Sequence, residues 1–146
     1  MPSTSDLIYA VLLPCETVLL EQDGLASAIR LLDSLTLQED EATVGLVEIL
    51  FALKFEAGFN PVGQEFSVDI SNPAGATDLL MRPSAVNLSG PPNLHPSAPV
   101  GVNLRIRLEI QGKNTGVYRL RGYLNGQEVA ATAIALVLPI TQPNID

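Results

Sequence analysis

Leu-Arg-Ile-Arg-Leu-Glu-Ile, residues 104–110, is the stretch that decides the fold of this chain. Every second residue is apolar and each of the others is charged, so the two sets point to opposite faces of an extended strand. One face can pack on a core while the other meets water. The stretch therefore predicts a half-buried β-strand and indicates an antiparallel, all-β protein.

The same alternation recurs over residues 47–56, 65–70 and 118–123. Stretches rich in Gly, Asn and Pro lie between these runs, at 71–75 and 112–116, and such stretches form turns. About seven to nine short strands with little helix are typical of a β-sandwich, and we expect an antiparallel, immunoglobulin-like one.

Two local motifs refine this prediction. Asn125-Gly126 indicates a two-residue hairpin turn, because both central residues of a type I′ turn need positive φ, and it should join strands over 117–124 and 127–138. Tyr118 stands before this hairpin, where immunoglobulin-like folds often place a tyrosine whose hydroxyl bonds to backbone. An ordinary tyrosine at the edge of the core is the alternative.

Residues 25–35 fit two patterns. Four apolar residues follow helical spacing: Leu25, Ile29, Leu32 and Leu35. In the other interpretation the segment is a strand whose alternate residues share one face. We favour the strand because the neighbouring segments are rich in strand signals, and one short helix near 25–35 stays the alternative.

The length of 146 residues suits a single domain, with a core over about 6–138 and a polar tail over 139–146. Cys15 is the only cysteine, so no disulfide can form within the chain, and a lone cysteine favours a reducing compartment. The N-terminus lacks the basic stretch of a secretory signal, and the apolar run 7–13 is too short to cross a bilayer. We expect a cytoplasmic protein without membrane insertion.

Charge and hydropathy narrow the classes of partner. The net charge of −8 disfavours nucleic acid, whose binding depends on cations that neutralise phosphates. An apolar content of 47% and a mean hydropathy of +0.27 are high for a small soluble protein. Residues 7–13 and 129–138 are apolar on both faces, so these strands are either central in the sandwich or covered by another subunit.

The residues for catalysis are missing from the sequence. His95 is the only histidine, so a Cys15–His95 pair would lack a third, orienting group. One cysteine and one histidine do not make a zinc site, and no phosphate-binding glycine loop occurs. Glu39-Asp40-Glu41 is best interpreted as a solvated loop. We therefore predict no catalytic residues, no metal and no cofactor.

Four arginines form the candidate anion or partner site: Arg105, Arg107, Arg119 and Arg121. They alternate with apolar residues on two strands joined by a short turn, and if those strands pair, the four guanidinium groups share one face. Acidic residues of the same domain, a partner's carboxylates or an anionic ligand would balance them. Asn93 and His95, in the proline-rich loop 89–99, are candidate loop contacts.

The order of these motifs resembles an uncharacterised bacterial family of small, signal-less β-sandwich domains, a domain of unknown function. The following motifs carry the resemblance over about residues 6–138: Pro14-Cys15-Glu16, Glu21-Gln22-Asp23-Gly24-Leu25, Gly116-Val117-Tyr118-Arg119-Leu120 and Leu124-Asn125-Gly126. The chain departs from the family at residues 26–32, which are rich in Ala and Leu where members have a Gly-containing strand. The resemblance implies a β-sandwich in the cytoplasm and brings no catalytic residues.

These observations favour a non-enzymatic interaction or assembly domain that binds itself or another protein. A β-sandwich module for a small anionic ligand or a carbohydrate is the alternative.

Overall fold

A computed structural model describes residues 6–20, 25–36, 44–85, 97–111 and 115–137. The described residues form nine β-strands and no α-helix: β1 (Leu7–Leu20), β2 (Ala26–Leu31), β3 (Ser34–Thr36), β4 (Val44–Phe55), β5 (Glu65–Ser71), β6 (Thr77–Ala85), β7 (Val100–Gln111), β8 (Gly116–Leu124) and β9 (Gln127–Val137). The prediction of an all-β protein is confirmed.

The strands form two packed sheets. Sheet A has the order β2-β1-β4-β7 and sheet B the order β3-β9-β8-β5-β6. All pairings are antiparallel except one, because the three-residue strand β3 runs parallel to β9. β1 and β9 each have a neighbouring strand on both sides within their sheet, yet Ile8 and Tyr9 of β1 and Val137 of β9 are 40% to 47% exposed.

The main core lies between the sheets and draws on both. Its largest fully buried side chains include Phe51, Phe55 and Phe66. Phe51 of β4 reaches across to β8, where a Cβ on Gly122 would stand 2.7 Å from the Phe51 ring. Because Gly122 has no side chain, the ring of Phe51 can pack against β8 in the space between the sheets.

The alternation over residues 104–110 has the predicted effect. Ile106, Leu108 and Ile110 are buried, whereas Arg105 and Arg107 are exposed. The predicted hairpin turn is also confirmed, since Leu124 pairs with Gln127 while Asn125 and Gly126 have φ of 51° and 81°. Local chemistry is sufficient for the turn and for the two pairs next to it, and a register shift between Gly122 and Tyr123 sets the pairing of the rest of the hairpin.

Residues 25–35 are extended, so the helix alternative is wrong. β2 pairs with β1, with Ile29 opposite Thr17 and Ala26 opposite Leu20. The apolar residues at helical spacing divide between two environments: Leu32 and Leu35 pack against the main core, and Leu25 and Ile29 are exposed. Pairing with β1 on one side, together with the contacts of Leu32 and Leu35 with the main core, holds this segment extended in spite of the helical spacing.

Candidate functional site

The four arginines do not share a face. The pairing on which a shared face depended does not occur, because β7 belongs to sheet A and β8 to sheet B. Arg105 and Arg107 point outward from sheet A, and Arg119 and Arg121 point outward from sheet B. Because β7 and β8 lie in different sheets, the two pairs lie on opposite outer faces of the sandwich.

On sheet A, Arg105 meets the carboxylate of Glu48 on the neighbouring strand. The Nε atom of Arg105 lies 3.6 Å from Oε2 of Glu48, whose side chain is only 13% exposed. The other oxygen, Oε1, accepts a hydrogen bond of 3.3 Å from the backbone amide of Val18. Glu48 therefore connects the β1–β2 hairpin to the outer face of sheet A.

A second apolar cluster lies beside Glu48. Its buried members are Cys15, Val18, Leu50 and Ala52, and Val11, Leu13, Ala26 and Ala28 pack against them. The thiol of Cys15 lies 3.4 Å from the carbonyl oxygens of Thr17 and Glu48. Burial raises the pKa of Cys15, and the Glu48 charge raises it further, so the thiol stays protonated near neutral pH.

On sheet B the outer face carries a buried carboxylate. Asp69 of β5 is 9% exposed, and its Oδ2 accepts a 2.7 Å hydrogen bond from the hydroxyl of Tyr123. Its Oδ1 is buried and receives no hydrogen bond among the described residues. The hydrogen bond to Asp69, followed by burial, raises the pKa of Tyr123, with Arg121 opposing the shift. The folded protein therefore holds the hydroxyl proton of Tyr123 more firmly than the unfolded chain does.

The remaining arginine contact on this face is more open. Arg121 lies 3.6 Å from the carboxylate of Glu128, and both side chains are about half exposed. One arginine on each outer face therefore lies beside a carboxylate of the same domain, as expected for internal pairing. These are Arg105 on sheet A and Arg121 on sheet B. The geometry gives no place where four guanidinium groups converge on one anion.

The β1–β2 hairpin presents the largest group of exposed apolar side chains in the described chain. We call it the hairpin surface, defined by Leu19, Leu20, Leu25, Ile29 and Leu31, which are 42% to 63% exposed. Leu19 and Ile29 lie on one face of the hairpin, since their partners in the register are Ser27 and Thr17, and Leu20, opposite Ala26, lies on the other face. β2 is an edge strand of sheet A, so its outer side has no neighbour within the described sheet.

A cleft of about 480 Å³ opens between β6 and β7, the strands that end the two sheets on the opposite side from the hairpin. Its apolar part consists of core side chains: Ile70, Leu80, Leu108, Ile110 and Tyr118. Asn72, Ala76, Thr77, Asp78 and Glu109 complete the lining. We call this the β6–β7 cleft.

Several predicted residues lie outside the described ones. They are Asn93 and His95 of the proline-rich loop, the acidic run 39–41 and the tail 139–146. Tyr118 is buried in the core, and the backbone bond expected of its hydroxyl stays a prediction. Within the described ranges, no group of three or more His, Cys, Asp or Glu side chains is placed to hold a metal ion.

Sequence reasoning missed two of these features. The alternation over 65–70 places Asp69 on the outward side, but the residue is only 9% exposed and accepts a hydrogen bond from Tyr123. The β6–β7 cleft depends on which strands end the sheets, and residue spacing does not contain that information. The one sequence signal for a special role of Asp69 was its place as a charged residue within the run 66–70.

No protein-family model matches the chain, and no curated protein matches it either. In the described part of the chain, no helix is long and apolar enough to span a membrane. The resemblance to the bacterial family of β-sandwich domains stays a prediction.

Proposed function

We propose that this protein is a non-catalytic assembly domain that self-associates through the hairpin surface. The observation that carries the proposal is the concentration of Leu19, Leu20, Leu25, Ile29 and Leu31 on one edge hairpin. Clustered apolar side chains of this kind commonly mark protein interfaces, whereas single ones scattered on a surface need no explanation.

A second copy of the chain is the proposed occupant. Glu16 and Arg30 form an ion pair of 3.2 Å within the β1–β2 hairpin, while Glu21 and Asp23, which stand between the two strands in the sequence, make the segment acidic overall. Like charges on two copies oppose association, so the apolar side chains must supply the affinity. An isologous dimer would bring the same apolar residues together across a two-fold axis.

The backbone of β2 favours contact through side chains over the addition of a strand. Arg30 has a φ of 59°, a left-handed conformation that interrupts the extended edge. A charged residue in such a conformation is a device that protects sheet edges from pairing. The apolar side chains before and after it, Ile29 and Leu31, stay available for packing.

Light scattering on a sizing column, at low and high salt, tests the proposal. We expect a dimer that survives high salt, because apolar contacts are insensitive to screening. Ile29→Asp and Leu31→Asp should each give a monomer. Val62→Asp, at a residue that is 60% exposed in the turn between β4 and β5, is the matched control and should remain a dimer.

A monomeric wild-type protein at all concentrations would overturn self-association. The proposal also fails if the hairpin variants remain dimeric while their circular dichroism and urea midpoints match those of the control. The alternative of a small anionic ligand has less support, since the arginines lie on two opposite faces.

A further inference from the structure

The distal part of the β1–β2 hairpin leaves sheet A as a two-stranded ribbon. β1 pairs with β4 as far as Cys15, opposite Glu48, whereas its residues 16–20 pair with β2 alone in the described part of the chain. β2 has no second neighbour in the described sheet. We call residues 16–20 and 26–31 the ribbon. Its strand-to-strand hydrogen bonds run within the ribbon itself, and a two-stranded hairpin alone is only marginally stable.

One side chain anchors the ribbon to the rest of the molecule. Val18 is 0% exposed, and no other ribbon residue that the structure describes is buried. Val18 lies in the second apolar cluster with Leu50 and Ala52, and its amide donates a hydrogen bond of 3.3 Å to Oε1 of Glu48. The ribbon therefore lies against the outer face of sheet A through few contacts, and segments with few buried apolar contacts open most readily.

The base of the ribbon is held more firmly. The amide of Leu32 donates a 2.9 Å hydrogen bond to the carbonyl of Pro14, and the carbonyl of Asp33 accepts one of 3.1 Å from the amide of Ala135 in β9. Just before this base, Arg30 has a φ of 59°, so the extended run of β2 is interrupted there. A motion of the ribbon can pivot at this point while both sheets stay intact.

The thiol of Cys15 lies at the junction of the ribbon and sheet A. Cys15 is 0% exposed, and its Sγ lies 3.4 Å from the carbonyl oxygen of Thr17, a ribbon residue. Displacement of the ribbon carries Thr17 and Val18 away and uncovers the thiol. Because Cys15 is the only cysteine in the chain, its reactivity reports on this motion without an added label.

We propose that the ribbon is a flap, which moves away from the outer face of sheet A as one unit while the sandwich stays folded. Opening uncovers Leu50 and Ala52, so that they join the exposed side chains of the hairpin surface. The Cys15 thiol reacts only in the open form. Opening releases one buried side chain and its hydrogen bond, whereas global unfolding exposes the main core as well.

Reaction of the thiol with dithiobis(nitrobenzoic acid) tests the proposal. The Cys15 thiolate attacks one sulfur of this aromatic disulfide, forms a mixed disulfide and releases a coloured nitrothiobenzoate anion, whose absorbance gives the rate. Below the unfolding transition we expect a rate that changes little with urea, because opening of the flap exposes little surface. A rate that rises with urea as steeply as the unfolding equilibrium constant would mean that only global unfolding exposes the thiol, and would overturn the proposal.

Two valine variants separate local opening from global unfolding. Val18→Ala shortens the anchor and should raise the labelling rate without urea about tenfold. Val68→Ala is the matched control, because Val68 is a fully buried valine of the main core in β5. It should lower the urea midpoint and leave the labelling rate without urea unchanged. If both variants raise the rate equally, labelling reports on global stability and the flap is refuted.

Amide hydrogen exchange checks the flap without the thiol. Val18→Ala should accelerate exchange of the amides of residues 17–20 and 26–29 as a group, while those of residues 47–53 in β4 keep their wild-type rates. Acceleration of both groups alike would again mean global unfolding and would count against the flap.

The flap does not rest on self-association. Ile29→Asp, the variant expected to be monomeric, keeps Val18 and should keep the contrast between Val18→Ala and Val68→Ala. A protein that dimerises without this contrast refutes the flap alone. A monomeric wild type that shows the contrast refutes only self-association, so the two proposals fail separately.

Discussion

The two outer faces of the sandwich begin from similar sequence patterns and end in different environments. On sheet A, Leu50 and Ala52 point away from the main core, yet they are buried in the second apolar cluster with Cys15 and Val18. On sheet B, outward residues include a buried Asp69 and an exposed Leu79. Alternation therefore determines which way a side chain points, and the neighbouring strands determine whether water reaches it.

The largest expected difference between the faces is in apolar burial. Leu50→Ala should lower the free energy of unfolding by about 3 kcal/mol, because it removes a buried side chain and leaves a cavity. Leu79→Ala makes the same chemical change on the outer face of sheet B, where Leu79 is 54% exposed, and should cost at most about 0.5 kcal/mol. Urea unfolding of both variants measures the difference, and equal losses would mean that the two faces do not differ.

The hydrogen bond between Tyr123 and Asp69 should give a smaller effect. Tyr123→Phe should cost about 1–2 kcal/mol at pH 8, since it leaves a buried carboxylate without its donor. Tyr9→Phe is the control, because Tyr9 is an exposed tyrosine in β1.

The same tyrosine predicts a dependence on alkaline pH. The folded protein raises the pKa of Tyr123, so the folded state keeps a proton that the unfolded chain releases near pH 10. This stabilisation is complete below pH 10 and is lost as pH rises through the folded pKa. Burial raises the pKa of Tyr118 in the same direction, so Tyr123→Phe should reduce the loss without abolishing it. If the free energy of unfolding falls with pH above 10 as steeply in Tyr123→Phe as in the wild type, the role given to Asp69 is contradicted.

The smallest expected effect compares the two ion pairs. Arg105–Glu48 and Arg121–Glu128 have the same separation of 3.6 Å, but Glu48 is far less exposed than Glu128. Double-mutant cycles with glutamine at each residue should give a coupling of about 1 kcal/mol for the first pair and below about 0.5 kcal/mol for the second. High salt should reduce the second more than the first. The reverse order would mean that burial does not strengthen the Glu48 contact.

Much of the fold was predictable from short segments. The alternation over 104–110 predicted a half-buried strand, and Asn125-Gly126 predicted the turn of the last hairpin. The strand assigned to 25–35 was less certain from sequence, because the same leucines also fit a helix. Pairing with β1 decided it, and this contact joins residues far apart in the chain.

The candidate sites were harder to predict for the same reason. Arg105 and Arg119 look equivalent along the chain, and only the crossing from β7 to β8 between sheets separates them. The hairpin surface and the β6–β7 cleft both depend on which strands end each sheet. Strand order is a property of long-range hydrogen bonding, which no local pattern encodes.

The amino-acid sequence by itself determined the strand content, the inward and outward sides of each strand and the Asn-Gly turn, because side-chain period and turn conformation are local properties. The tertiary structure alone decided the neighbours of each strand. It separated the arginines, buried Asp69 on one outer face and partly buried Glu48 on the other, and left β2 at one edge and the cleft at the other. Burial and charge pairing depend on atoms from distant parts of the chain, and only folding brings those atoms together.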